Sequence, residues 1–136
     1  MTERPESNID PLILVVDDEP SQRFLSVITL KRLGYKVEEA TNGHEAVRCF
    51  AEASKGGDAS PFDLIIMDMI MEDDFDGLKA YEKIQEFYPD QKVIIASGHA
   101  EDGRAKAAQN LGAAWLAKPY ERAELTRAVR GQLGLS

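Results

Sequence analysis

The sequence predicts an α/β fold in which five parallel strands form a doubly wound sheet, with a helix after each strand. Short apolar runs alternate with amphipathic helical segments five times along the 136-residue chain. Most of the runs are apolar throughout, as expected for strands that helices cover on both faces. The length fits one domain, and 43% of the residues are hydrophobic, which is enough to build a core.

Five segments have the composition and length of strands. They are Leu12–Val16, Lys36–Ala40, Asp63–Met67, Lys92–Ala96 and Ala114–Ala117. The second segment is only half apolar, which is typical of a strand at the edge of a sheet. Because each strand is followed by a helix, the crossovers between parallel strands are expected to be right-handed.

Helical patterns occupy the intervals between the strands. They are Ser21–Leu33, Gly43–Ala53, Leu78–Tyr88, Asp102–Leu111 and Glu121–Leu133. The first helix follows Pro20, a residue that favours the first turn, and three helices end at a glycine. Ser54–Pro61 is predicted to be a surface loop. The polar residues 1–11 are predicted to form a tail or linker before a single domain over residues 12–134.

Charge and composition exclude several classes of function. Acidic residues number 24 against 16 basic ones, and a net charge of -8 disfavours binding to nucleic acid or to an anionic membrane. The single cysteine, Cys49, cannot form a disulfide within the chain. No run approaches the roughly 18 apolar residues of a membrane span, and the first residues lack a signal-peptide pattern. These features predict a soluble, cytoplasmic protein.

Polar side chains stand where the apolar strands end. They are Asp17 and Asp18 after the first strand, Asp68 after the third, Ser97 after the fourth and Lys118 after the fifth. Ligands of doubly wound sheets bind beyond the carboxyl ends of the strands, so these groups are expected to converge. Three neighbouring carboxylates repel one another, and a hard divalent cation such as Mg²⁺ would relieve that repulsion. Lys118 could then pair with Asp68 or with a phosphoryl oxygen, and Ser97 could donate to another.

The same residues lie in motifs that resemble those of the receiver domain of two-component response regulators. The matching segments are Leu14–Pro20, Leu64–Met71 with Asp76-Gly77, Ile94–Gly98 and Lys118-Pro119-Tyr120. The resemblance extends from about Leu12 to Leu133, which is nearly the whole chain. It implies a flavodoxin-like sheet with the strand order 2-1-3-4-5, and a domain that phosphorylates and dephosphorylates itself without turning over an external substrate.

The resemblance also implies a role for each residue of the site. Asp68 would accept a phosphoryl group from a histidine kinase or a phosphotransfer protein in a phosphorelay. Mg²⁺ would be held by Asp17, Asp18, Asp68 and the backbone carbonyl of Ile70. Lys118 and Ser97 would contact the phosphoryl group, and Ser97 and Trp115 would act as the switch. The Lys118-Pro119 bond is expected to be cis, and the surface formed by helix 4, strand 5 and helix 5 could form a homodimer.

Some alternatives remain open at this point. The acidic segment Glu72–Asp76 is longer than the family pattern and could be a solvated loop or could influence the choice of kinase. A phosphatase of the haloacid dehalogenase kind would need an aspartate two residues after the nucleophile, where this chain has Ile70 or Glu19. A nucleotide-binding domain would need a glycine-rich loop after the first strand, which is lacking. The chain could be a stand-alone regulator or the receiver of a hybrid sensor kinase.

Overall fold

One parallel sheet organises the computed structural model, which describes residues 11–53, 60–69, 77–98 and 103–134. Its strands are β1 (Leu12–Val16), β2 (Lys36–Ala40), β3 (Leu64–Asp68), β4 (Val93–Ser97) and β5 (Ala114–Ala117). They pair in the order β2-β1-β3-β4-β5, with every pairing parallel. The predicted fold class and strand order are therefore confirmed. Residues 1–10 of the predicted tail and 54–59 of the predicted loop lie outside the described residues.

Two strands begin and end one residue later than the sequence predicts. Asp68 and Ser97 are the last residues of β3 and β4, because the pairing continues through them to Ala96 and Ala117 respectively. At the other end of β3, Asp63 is not part of the strand. Its carboxylate instead accepts a hydrogen bond of 2.8 Å from the backbone N–H of Leu12. The polar residues that were expected just beyond these strands thus belong to the sheet itself.

The helices between the strands are α1 (Pro20–Arg32), α2 (Gly43–Ala53), α3 (Gly77–Phe87), α4 (Gly103–Asn110) and α5 (Arg122–Gln132). Their ends lie within one residue of the sequence prediction. Glu19 caps α1 by accepting from the N–H of Gln22 at 2.9 Å, so Pro20 is already helical. Glu121 precedes α5 as its N-cap, and its N–H donates to the Glu124 carboxylate at 2.8 Å. Among the described helices, none is both long enough and apolar enough to cross a membrane.

The core lies on both faces of the sheet. Alternate residues of β1 and β3 point to opposite sides, as the two-residue period of a strand requires. Leu14 and Met67 pack with residues of α2, α3 and α4 on one face. Ile13 and Ile66 pack with residues of α1 and α5 on the other. This arrangement buries the three central strands, leaves β2 and β5 as edges, and brings the carboxyl ends of all strands to one rim of the molecule.

Candidate functional site

Three carboxylates meet at the carboxyl ends of β1 and β3. Asp17 and Asp18 follow β1 directly, and Asp68 ends the central strand β3. One oxygen atom from each of these residues lies within 4.8 Å of the other two. Asp17 and Asp68 are buried, and Asp18 is partly exposed. Adjacent parallel strands that end at the same level bring together side chains that are far apart along the chain.

Lys118 faces this cluster with its positive charge. It follows the edge strand β5, and its Nζ lies 3.1 Å from Oδ1 of Asp68 and 3.8 Å from Oδ2 of Asp17. Its backbone N–H donates to the carbonyl of Ser97 at 2.9 Å, which ties the end of β5 to the end of β4. The peptide bond between Lys118 and Pro119 is cis, as the resemblance to receiver domains implied.

The remaining residues of the predicted site are Ser97 and Trp115, which the structure describes, and Ile70, which it does not. Ser97 is buried at the end of β4, one residue beyond the partner of Asp68 in the adjacent strand. Trp115 lies on β5 opposite Ile95 and is partly buried against the core on the side of α2, α3 and α4. The carbonyl of Ile70 and the acidic segment 72–76 lie outside the described residues.

Burial dominates the electrostatics of the carboxylates. The pKa of Asp68 is raised to about 6, mainly by burial and in part by the negative charge of Asp17, while the positive charge of Lys118 opposes the rise. Burial also raises the pKa of Asp17, although the N–H of Glu19 and the charge of Lys118 oppose this. For Lys118, burial lowers the pKa, but Asp68 and Asp17 together raise it by more, so the net change is upward. Lys118 therefore stays protonated and faces two buried carboxylates, Asp17 and Asp68, whose pKa values burial raises.

This set of side chains fits a hard divalent cation. The cluster offers only carboxylate oxygens, which Mg²⁺ and Ca²⁺ prefer, and its members are close enough to share one ion. A bound cation would also offset the mutual repulsion that the burial of Asp17 and Asp68 intensifies. The described residues could thus hold such an ion at the carboxyl ends of β1 and β3.

The turn after β1 is held by contacts that the sequence analysis did not predict. The N–H of Asp17 donates to the carbonyl of Ala40 at the end of β2, at 3.2 Å. Oδ1 of Asp17 accepts from the N–H of Glu19 at 2.9 Å, which orients the carboxylate. Nη1 of Arg23 donates to the backbone carbonyl of Asp17 at 2.7 Å. Arg23 and Asp17 are six residues apart in the chain, and no motif in the sequence marks this last contact.

Gly77, the first residue of α3, lies against the backbone at the end of β3. Its N–H donates to the carbonyl of Met69 at 2.9 Å. A Cβ atom at this position would lie 2.7 Å from the carbonyl oxygen of Asp68, a distance that side chains do not tolerate. Glycine is therefore required by the close approach of the two backbones, and the sequence motif alone did not reveal that reason.

Comparison with known proteins agrees with this geometry. The family model for the response regulator receiver domain matches residues 13–130, and the chain belongs to that family. It is 34% identical over 125 residues to the sensor kinase CckA of Brucella abortus, covering 89% of this chain and 12% of that protein. The chain spans only 12% to 25% of the length of the first curated relatives that it matches.

Two solved structures show the same fold over almost their whole length. The chemotaxis protein CheY4 of Vibrio cholerae has 28% identity and a TM-score of 0.77, with 91% of this chain and 99% of that chain covered. The receiver domain of the sensor histidine kinase PA1611 of Pseudomonas aeruginosa has 28% identity and a TM-score of 0.76, with 92% and 98% covered. That structure holds a magnesium ion in its active site cleft.

Residues 13–130 of the chain therefore form a receiver domain of two-component signal transduction, a class of signalling domain that phosphorylation activates. The alternative of an aspartyl phosphatase on a related sheet is not favoured, because the receiver family accounts for residues 13–130. Receiver domains interact with histidine kinases or phosphotransfer proteins, and this sets the class of partner.

Proposed function

We propose that Asp68 accepts the phosphoryl group from the phosphohistidine of a histidine kinase or phosphotransfer protein. A carboxylate oxygen of Asp68 attacks phosphorus, the O–P bond forms, and the N–P bond breaks with its electron pair returning to the imidazole. The observation that carries this proposal is the position of Asp68, which is buried at the end of the central strand with Nζ of Lys118 at 3.1 Å. With a pKa of about 6, Asp68 is mainly ionised at neutral pH and able to act as a nucleophile.

Mg²⁺ is the proposed cofactor. Asp17, Asp18 and Asp68 supply carboxylate ligands, and the backbone carbonyl of Ile70 is the further protein ligand that the family resemblance implies. When bound, the ion offsets the negative charge of the carboxylates and of the incoming phosphoryl oxygens. The orientation of Asp17 by the N–H of Glu19 prepares one ligand in advance.

Lys118 and Ser97 are proposed to bind the phosphoryl oxygens. Lys118 pairs with Asp68 before transfer, and its ammonium can pair with a phosphoryl oxygen once Asp68 carries that group. Ser97 ends the neighbouring strand and would turn its hydroxyl toward another oxygen. Because β5 pairs with β4, this movement opens space beside Trp115, whose ring is proposed to turn inward.

The proposed output follows from the position of this switch. β5 is an edge strand, with α4 packed on one side of the sheet and α5 on the other. Movement of Ser97 and Trp115 would alter the surface that α4, β5 and α5 form together, and a homodimer or an effector would bind there. We propose further that the receiver domain spans residues 12–134 after a polar tail of residues 1–11. It would act in the cytoplasm, alone or in a hybrid kinase, without turning over an external substrate.

Labelling with acetyl phosphate tests the assignment of Asp68. The wild-type chain should gain one phosphoryl group in the presence of Mg²⁺, detected by intact-protein mass spectrometry, and none in chelator. Asp68→Ala should gain none. Asp90→Asn, which changes an exposed carboxylate in the turn after α3, is the matched control and should label as the wild type does. Full labelling of Asp68→Ala would show that another residue is the acceptor.

A further inference from the structure

We propose that Arg23 is a positioning residue for the cation site, because it holds the backbone of the turn that carries Asp17 and Asp18. The inference rests on the proposed function, which assigns Mg²⁺ to these carboxylates. Arg23 itself offers no ligand, since a guanidinium is always protonated and has no acceptor atom. Its influence on the cation would pass through the polypeptide backbone.

The main contact is a short hydrogen bond to the peptide that joins the two aspartates. Nη1 of Arg23 lies 2.7 Å from the carbonyl oxygen of Asp17. Such a charge-assisted bond is about twice as strong as a neutral one. The peptide between Asp17 and Asp18 is planar, so its carbonyl direction sets the direction in which both Cα atoms leave it. The peptide that precedes Asp17 is also fixed, because the N–H of Asp17 donates to the carbonyl of Ala40 at 3.2 Å.

A second contact keeps the guanidinium in place. Nε of Arg23 lies 3.0 Å from Oε1 of Glu39, which belongs to the edge strand β2. The Arg23 side chain is only 17% exposed, whereas that of Glu39 is 49% exposed. The planar guanidinium binds the carboxylate and the carbonyl at the same time, which a lysine ammonium at this position does with less defined geometry. Because Glu39 is so exposed, its ion pair with Arg23 contributes little to the free energy of unfolding. Its main consequence is to orient the Arg23 guanidinium.

The two ways in which Arg23 could act predict opposite changes in Mg²⁺ affinity when the residue is removed. If Arg23 acted through its positive charge, its removal would make the site more negative and strengthen the binding of Mg²⁺. If it acts by holding the turn, its removal frees the Asp17 carbonyl and weakens binding. The pairing of Arg23 with Glu39 reduces the net charge that it presents to the site. We therefore expect the loss of positioning to dominate.

The test is calorimetric titration of MgCl₂ into the full chain. Arg23→Ala should raise the Kd for Mg²⁺ about tenfold, as losses of groups that orient metal ligands commonly do. Arg23→Lys should restore part of the affinity, and Glu39→Gln should weaken it less than Arg23→Ala, because the carbonyl contact remains. Arg32→Ala removes an exposed arginine from the last turn of the same helix and should leave the Kd unchanged.

Labelling of Asp68 by acetyl phosphate gives an independent readout. In Arg23→Ala the Mg²⁺ concentration for half-maximal labelling should rise in parallel with the Kd, while the rate at saturating Mg²⁺ should stay near that of the wild type. Unfolding in chelator shows whether each variant is folded, and Arg23→Lys tests the same contact if Arg23→Ala does not fold.

A Kd for Arg23→Ala that is lower than that of the wild type, or within about twofold of it, would overturn the positioning role. A wild-type chain that binds no Mg²⁺ would overturn the proposed cofactor and this inference together. The two failures are thus distinguished by the wild-type titration.

Discussion

Replacing Asp68 by asparagine should stabilise the protein in the absence of divalent cations. Burial raises the pKa of Asp68 from its ordinary value of 3.8 to about 6, and Asp17 adds to this, whereas Lys118 only partly opposes it. The folded protein therefore holds a proton on Asp68 over a pH range in which the unfolded chain has lost it. Asparagine has nearly the same shape but no charge, so the variant avoids the cost of burying an ionised carboxylate.

The magnitude follows from linkage between protonation and folding. The difference between 3.8 and about 6 corresponds to about 3 kcal/mol, at roughly 1.36 kcal/mol per pKa unit. Because the pKa is raised in the folded state, the favourable contribution is complete below pH 3.8 and is lost as the pH rises through about 6. In the variant, Lys118 loses its nearer described carboxylate and keeps Asp17, at 3.8 Å, so we expect a gain of about 2 to 3 kcal/mol at about pH 8.

Urea unfolding in chelator between about pH 4 and pH 8 measures this effect. The variant and the wild type should be similarly stable at the acidic end, and the difference should grow toward neutral pH. The exposed variant Asp90→Asn should follow the wild type throughout. Added MgCl₂ should stabilise the wild type, by about 2.7 kcal/mol at one hundred times its Kd, and should stabilise Asp68→Asn less because a ligand is lost.

A constant difference across this pH range would refute the reasoning, since the predicted gain arises only when Asp68 ionises. The reasoning would equally fail if the wild type were the more stable protein in chelator near pH 8. In that case the ion pair with Lys118 would outweigh the cost of burial, contrary to the raised pKa.

Three further predictions concern the residues around the site. The emission wavelength of Trp115 and its quenching by iodide should both change when beryllofluoride binds with Mg²⁺, but should stay constant in Ser97→Ala. Unchanged spectra in wild-type protein that has bound beryllofluoride would make Trp115 an ordinary core residue. Gly77→Ala should destabilise by about 1 to 3 kcal/mol in urea unfolding, because its Cβ would lie 2.7 Å from a β3 carbonyl; unchanged stability would contradict the close approach. Tyr120→Phe should cost about 1 kcal/mol, because it removes the 2.8 Å hydrogen bond to buried Ser26; an unchanged melting temperature would contradict this.

Much of the fold could be predicted from the sequence because its signals are local. Apolar runs of strand length and helical periodicity are properties of neighbouring residues, and the glycines that end three helices have the positive φ that favours glycine, for example 115° at Gly112. The one-residue displacement of β3 and β4 was not predictable in this way. It depends on pairing between strands, which carries Asp68 and Ser97 into the sheet.

In the candidate site, too, some features could be predicted from the sequence and others could not. Its charged residues were predicted because parallel strands place their carboxyl ends together, so that Asp17, Asp68 and Lys118 could be assigned to one rim from sequence alone. Their roles in phosphoryl transfer stay predictions, as does the carbonyl of Ile70. The contacts that orient them were not predicted, since Arg23 and Glu39 are separated along the chain and carry no motif of their own.

The sequence by itself thus determined which chemistry the protein can carry: the order of strands and helices, three carboxylates, a hydroxyl and an ammonium at the strand ends. Only the tertiary structure decided the pKa of about 6 at Asp68, the 2.7 Å contact of Arg23 and the need for glycine at position 77. The physical reason is that side-chain type and periodicity are properties of neighbouring residues in the sequence. Desolvation, hydrogen-bond geometry and close backbone approach arise only when distant segments pack together.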